Sequence, residues 1–309
     1  MESNLQELAK RYSGIVRDID LTDYRSEEVA HRVKSVSEYA EAVGKLIFTP
    51  DLDQGAALPF MKMKGNFHIR QNEMTIWAGY KAHGKSAFTS QVLNALMVRG
   101  ESVFVISPEF KPERVIERMI YQRIGGRDLD DEGLFDWFSW AQGRLWLYDV
   151  QSSLRPDDVL ALCRYAIDKY KVKHIFIDSL MKCGIDPDDY SKQKNFPCHM
   201  HLVAHARKGS SDESIPKLHD IKGASEIADM AENVVVVWRN KAKEKCVSIN
   251  DTSKDQEPDA IVIVEAQRNA HGWVGAMHLT YEPNSMLFYE AGQRAYTSAA
   301  TSGDLNCPI

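Results

Sequence analysis

Eight residues, Gly79-Tyr80-Lys81-Ala82-His83-Gly84-Lys85-Ser86, constrain this chain more than any other stretch, because they match the phosphate-loop spacing G-x-x-x-x-G-K-[ST]. Before them, Met74-Thr75-Ile76-Trp77-Ala78 is an apolar, β-rich run; after them, Lys85 to Val98 carries Phe88, Val92, Leu93 and Leu96 at helical intervals. A strand, a glycine loop and a helix in that order turn a row of backbone N–H groups and the positive end of a helix dipole toward an anion. The Lys85 ammonium can reach the outer phosphates of a nucleoside triphosphate, and the Ser86 hydroxyl can ligate Mg²⁺. All eight residues are therefore candidate nucleotide contacts, with ATP or another NTP and Mg²⁺ as the expected ligands.

The rest of the chain supplies a setting for that loop. Strand-like runs at 102–106, 145–148, 174–178, 199–205, 233–238 and 260–265 alternate, up to residue 205, with helical patterns at 111–124, 131–141 and 156–170. This alternation predicts an α/β fold with a mostly parallel central sheet flanked by helices, closed by a β-hairpin turning at Pro283-Asn284. Residues 1–57 read as a helical N-terminal extension and linker. Ser26 is a candidate N-cap there, and Val29, Val33, Val36, Ala40 and Val43 draw an apolar stripe that packs either on the chain's own core or on a neighbouring subunit. The shift to Pro50, Gly55, Pro59 and Gly65 between Thr49 and Phe67 marks an irregular connection, the ATPase domain is expected over 58–292, and 293–309 reads as a flexible tail. Residues 240–258 read as a charged connection.

Composition narrows the classes. With 309 residues, 44% of them hydrophobic, the chain can build a substantial core. A formal charge of −6 confines any nucleic-acid contact to a local patch. The five cysteines (Cys163, Cys183, Cys198, Cys246, Cys307) form no C-x-x-C pair, the N-terminus is charged rather than leader-like, and no apolar run approaches a membrane span. A reducing, cytoplasmic compartment without a membrane partner is the expectation.

Several polar residues fall at strand ends. Glu109 follows the 102–106 strand, and Asp178 ends another as the expected second ligand-bearing group of a phosphate-loop site. His199, His201 and His205 lie along one strand; no carboxylate or thiol sits at metal spacing, so zinc is not expected, and His205 reads as a γ-phosphate sensor or as a structural histidine. The aromatic residues Trp137, Phe138 and Trp140 read as core. Arg207, Lys208 and the polar stretch to Lys217 form a basic loop, either solvated or bound to a phosphate backbone. Arg268, beyond the 260–265 strand, is a candidate arginine finger.

Taken in order, these motifs resemble the RecA-like motor domain of hexameric replicative DNA helicases, the DnaB type and its phage primase-helicase and Twinkle branch, over roughly residues 66–289. The resemblance implies a RecA-like P-loop NTPase in which Glu109 polarises the attacking water, Asp178 and Ser86 hold magnesium, and His205 senses the γ-phosphate. It further implies that Arg207, Lys208 and Lys217 belong to a single-stranded-DNA loop, that Arg239 and Tyr281 sandwich the base, and that Arg268 reaches the neighbour's nucleotide. A homo-oligomeric, hexameric ring follows as the expected assembly, with a primase or another replisome protein as a further partner and a phage-infected or prophage-bearing bacterial cytoplasm as the location. Filament-forming recombination ATPases and nucleotide-gated loaders that do not unwind DNA share much of this pattern. Three departures stand out. No primase-like domain precedes the motor. Ala266 stands where the DnaB branch often has a lysine. The crossover between Asp178 and His201 is short, whether by abbreviation of the fold or omission of a segment near Phe196-Pro197.

Overall fold

The computed structural model describes residues 35–48, 55–179, 182–184, 196–206, 214–217, 220, 231–269 and 272–290. Contacts divide the chain into two compact units, 1–55 and 56–309. In the first, a 3₁₀ turn (Val36–Tyr39) runs into helix α1 (Ala40–Phe48), and the Glu38 carboxylate accepts the Ser35 N–H at 3.0 Å, satisfying a donor that the helix start would otherwise orphan. Of the predicted apolar stripe, Val29 and Val33 lie outside the described residues, whereas Val36, Val43 and also Ile47 are exposed.

The second unit is organised by a nine-stranded sheet in the order β11-β10-β9-β8-β3-β7-β6-β4-β5. Its strands are β3 (Met74–Gly79), β4 (Val103–Ile106), β5 (Leu145–Tyr148), β6 (His174–Asp178), β7 (His199–His205), β8 (Asn233–Arg239), β9 (Ala260–Gln267), β10 (Gly275–Glu282) and β11 (Leu287–Glu290). From β5 to β8 every neighbour is parallel, and from β8 to β11 every neighbour is antiparallel. The parallel centre is covered on both faces, so its strands are apolar throughout: β3 is buried at all its positions and Val234–Val237 are inaccessible. Alternation along the strands divides the core. Trp77, Val105, Phe176 and Val235 face helices α2 (Lys85–Val98), α3 (Pro112–Ile124) and α4 (Asp131–Ala141), while Ile76, Ile106, Ile177 and Val236 face α5 (Pro156–Tyr170).

The expected alternation and terminal hairpin are present, and three local expectations need correction. The stretch predicted as an irregular connection contributes to the core: Ala56–Ala57 (β1) pairs with His68–Ile69 (β2), Leu58, Met63 and Phe67 are buried, and Phe60 stacks on Phe88 at 5.2 Å between centroids. Its prolines and glycines report turns, which do not exclude burial of the apolar residues between them. The charged connection contains helix α6 (Lys241–Ser248), started by Asn240 Oδ1 accepting the Lys243 N–H at 3.0 Å; none of its residues is buried, so it has no apolar stripe to betray it. In α4 only Trp137 is a core residue, Phe138 being half exposed and Trp140 serving as a platform for the Arg123 guanidinium at 4.7 Å. The helices expected over 188–196 and 221–232 fall almost wholly outside the described residues.

Candidate nucleotide site

The phosphate loop joins β3 to α2, and its glycines are required by space. A Cβ on Gly79 would lie 2.2 Å from the Val237 carbonyl oxygen of the adjacent strand, so no side chain fits there. Gly84, the N-cap of α2, has φ +81, a conformation that favours glycine. Lys81 and Ala82 form the exposed crest, and His83 is buried beneath it with its Nδ1 accepting the Arg239 N–H at 3.2 Å.

Lys85 is the buried centre of the site. Its ammonium donates to the Gly79 and Tyr80 carbonyls at 2.9 and 2.8 Å and to His205 Nδ1 at 3.1 Å. Burial pushes its pKa down to about 8, against the opposing pull of Asp178 and Glu109. Since His205 Nδ1 accepts from Lys85, the ring proton sits on Nε2, which faces Glu109 Oε1 at 3.3 Å. The Ser179 hydroxyl donates to the same carboxylate oxygen. These contacts, the His205 hydrogen bond first, hold the Glu109 carboxyl down at about 2 despite partial burial, so Glu109 is an anion at neutral pH. Sheet geometry makes the chain Lys85, His205, Glu109 possible: β7 lies beside β3 with His205 opposite Gly79, and β6 and β4 continue on the same edge.

Beside this chain, the Ser86 hydroxyl donates to Asp178 Oδ2 at 2.9 Å. Burial drives the Asp178 carboxyl upward, opposed by the Ser86 bond and by the Lys85 and Arg118 charges. A buried carboxylate next to a hydroxyl at a phosphate loop is the hard-oxygen donor pair that suits Mg²⁺, which takes few protein ligands and completes its shell with water and phosphate oxygens. No group of three or more His, Cys, Asp or Glu side chains suited to a metal ion occurs among the described residues. His199 and His201 are wholly buried and hydrogen-bonded to Thr75 Oγ1 at 2.8 Å and Trp77 Nε1 at 3.2 Å.

Arg239 and Tyr281 come together at the same end of the sheet, the guanidinium 5.1 Å from the ring centroid, with Glu244 pairing the guanidinium from α6. Arg268 does not join them. It follows β9, which runs antiparallel to β8, so Gln267 pairs with Asn233 while Ala260 pairs with Arg239. The length of β8, roughly 20 Å at ~3.3 Å per residue, separates Arg268 from the phosphate-loop edge. Of the proposed DNA loop, Arg207 and Lys208 lie outside the described residues; Lys217 is exposed, its N–H bonded to Asp220 Oδ2 at 2.8 Å. The chain enters that loop through Ala206, whose N–H donates to the Gly79 carbonyl at 3.0 Å.

Two neighbours of the site are absent from the sequence reading. Ser179 adjoins a recognised residue but belongs to no spacing rule. Arg118 stacks over Phe110 at 5.2 Å and feels the Asp178 charge from a largely buried position. Its signal was a cation sharing the helical face of Val115 and Met119.

No family model matches the chain, and no curated protein does. Solved structures are similar to it. One is a phage helicase ATPase domain, with 17% identity and a TM-score of 0.63 over 83% of this chain and 98% of that one. Another is a DnaB-like replicative helicase described with its primase interactions, with 15% identity and a TM-score of 0.65 over 93% of this chain and 75% of that one. At such identities the likeness is one of fold, and the fold is the α/β RecA-like architecture of helicase motor domains. No helix among the described residues is long and apolar enough to cross a membrane.

Proposed function

We propose that this RecA-like chain is an ATP-driven helicase motor that works as a ring on single-stranded DNA, hydrolysing ATP or another NTP at the junctions between subunits. The observation that carries the reading is the convergence of Lys85, His205 and Glu109 beside the Ser86–Asp178 pair at one edge of the sheet. A bound Mg²⁺, held by Ser86 and Asp178, would neutralise charge on the phosphates. The loop N–H groups and Lys85 bind the phosphate chain, and Lys85 stabilises charge building on the γ-phosphoryl group. Glu109, fixed as a carboxylate, orients water for in-line attack, while Arg239 and Tyr281 flank the base.

The position of Arg268 supports assembly. An arginine side chain extends at most roughly 7 Å, too short to cross from its edge of the sheet to the phosphate loop of its own chain. As a finger it must serve another copy, which makes the active site a property of the ring. His205 and the adjoining Ala206–Gly79 bond offer a route from the γ-phosphate to the loop of Arg207, Lys208 and Lys217, which would carry DNA. The exposed Val36, Val43 and Ile47 on the N-terminal unit fit a docking helix between protomers. A primase or other replisome protein and a phage-associated bacterial cytoplasm complete the reading.

The test is ATPase measured with and without single-stranded DNA, beside strand separation on a forked duplex and imaging of the particles. DNA stimulation, unwinding and closed six-membered rings are expected. Absence of both stimulation and unwinding overturns the motor, and open helices assign the chain to a filament-forming ATPase.

A further inference from the structure

At the sheet edge opposite the phosphate loop, two glutamates that take no part in nucleotide binding converge on the segment carrying Arg268. Glu73, only 7% exposed, immediately precedes β3. Its carboxylate accepts Asn269 Nδ2 at 2.7 Å on one oxygen and Asn233 Nδ2 at 3.2 Å on the other, with Arg70 Nη1 at 3.8 Å. Glu232, just ahead of β8, acts twice: its carboxylate accepts the Met74 N–H at 2.9 Å, and its carbonyl accepts the Arg268 N–H at 2.8 Å. Arg268 is therefore flanked by two anchors to the start of β3, one through its own backbone and one through the next side chain.

The local chain geometry leaves this clamp a specific task. Pairing of β9 with β8 shifts register between Val234 and Val235, so Glu265 is an extra residue bulged out of the ladder. A bulge re-aims the residues that follow it. Beyond it, Gln267 is buried with its Oε1 accepting the Trp273 N–H at 2.9 Å, which closes the base of the 268–272 turn, while Arg268 and Asn269 are exposed. An exposed arginine at a turn keeps a fixed direction only if the turn is tied to something rigid. β3 is the stiffest available anchor, paired on both sides and fully buried, and its other end carries the chain's own phosphate loop.

We propose that Glu73, through Asn269, is a positioning residue for Arg268, setting the direction in which this chain presents that arginine to the nucleotide of a neighbouring copy. The inference rests on the reading of Arg268 as a finger given in trans. A buried carboxylate taking two amide donors at this edge has a directional use there, since both oxygens are occupied and one of them holds the residue next to Arg268. Misplacement of a charge-stabilising group by an ångström is enough to lose one to two orders of magnitude in rate.

The test separates donor from acceptor. Lys85→Ala removes a chain's own site and keeps its finger; Arg268→Ala removes the finger and keeps the site. Mixing the two full-length chains restores ATPase only at junctions where an intact site meets an intact finger. Glu73→Gln is then added to one chain or the other, with Asn269→Ala, on the exposed turn, as a second variant that leaves the buried anchor untouched. Each is expected to lower the recovered kcat about tenfold when carried by the finger-giving chain, and less than about twofold when carried by the site-giving chain, with KM for ATP unchanged. Equal losses in both placements, or a loss confined to the site-giving chain, overturn the positioning role while leaving the trans finger standing. No recovery in the mixture without Glu73 or Asn269 substitutions overturns the trans finger, and the positioning role with it.

Discussion

The two edges of the central sheet are made by the same strands and differ in kind. β3 ends in Gly79 and begins beside Glu73, β6 ends in Asp178 and begins in His174, and β7 ends in His205 and begins in His199. At the nucleotide edge the ionisable groups are charged or driven toward charge by one another: Glu109 is held near 2, and Asp178 and Lys85 are displaced by burial in directions that a cation and a phosphate would reverse. At the opposite edge the histidines are neutral and saturated. His201 Nδ1 accepts from Trp77, so its Nε2–H donates to His174 Nδ1 at 3.2 Å, and the remaining His174 nitrogen faces Glu101 at 3.6 Å. Histidine on one strand thus has two physical roles, decided by whether its partners are ions or neutral donors. The sequence pattern H-x-H-x-x-x-H does not distinguish them.

Substitutions can break this contrast, and the largest effect belongs to the nucleotide edge. Glu109→Gln keeps the size and removes the charge, so kcat is expected to fall on the order of 10²–10⁴-fold with nucleotide binding retained; single-turnover kinetics beside a binding titration check it, and unchanged turnover would remove Glu109 from the chemistry. The opposite edge should show itself in acid. Burial lowers the pKa of His174, His201 and His199, the last to about 3, below the ordinary 6.5 of an unfolded chain. The unfolded state therefore binds more protons below about pH 6.5, and stability is full above that pH and is lost as pH falls toward the folded values, by up to about 1.4 kcal/mol per pH unit for each histidine. Glu101 is the carboxylate facing His174, with Lys173 and Arg99 nearby, and Arg70 lies nearest His199. Urea midpoints measured from pH 7.5 to 5 should fall steeply; a flat profile contradicts the neutral lock.

Smaller changes sharpen the same division. Thr75 Oγ1 bridges His199 at 2.8 Å and Asn233 Nδ2 at 3.2 Å, so Thr75→Val leaves both short of a partner and is expected to lower stability by about 1–3 kcal/mol while leaving kcat per folded molecule within about twofold. Arg239→Ala, by contrast, removes one face of the base sandwich: KM for ATP should rise by about two- to fivefold, in keeping with an exposed cation–π contact of about 0.5–1 kcal/mol, without a change in melting temperature. Loss of kcat in Thr75→Val, or of stability alone in Arg239→Ala, would blur the two edges into one.

Much of the nucleotide edge was legible because its chemistry is local in sequence. The phosphate loop announces itself by spacing, and the strands before Glu109 and Asp178 are continuous apolar runs, so the carboxylates mark their ends. The antiparallel extension beyond β8 and the hairpin were readable from turn residues. What was not readable depends on tertiary partners. Leu58, Phe60 and Met63 sit among prolines and glycines that speak of loops, and only the Phe60–Phe88 stack gives them away as core. Lys241–Ser248 lacks an apolar face because it covers nothing. Arg118 and Ser179 enter through packing, and Glu73 acquires meaning only when the antiparallel turn of β9 brings Asn269 back to the start of β3.

The central claim is that the site built on Lys85, Glu109 and Asp178 is completed by Arg268 of another copy. ATPase of an equimolar mixture of Lys85→Ala and Arg268→Ala chains tests it most directly. Each chain alone should be nearly inactive and the mixture should regain a substantial part of the wild-type rate. A mixture no more active than its components would contradict the account.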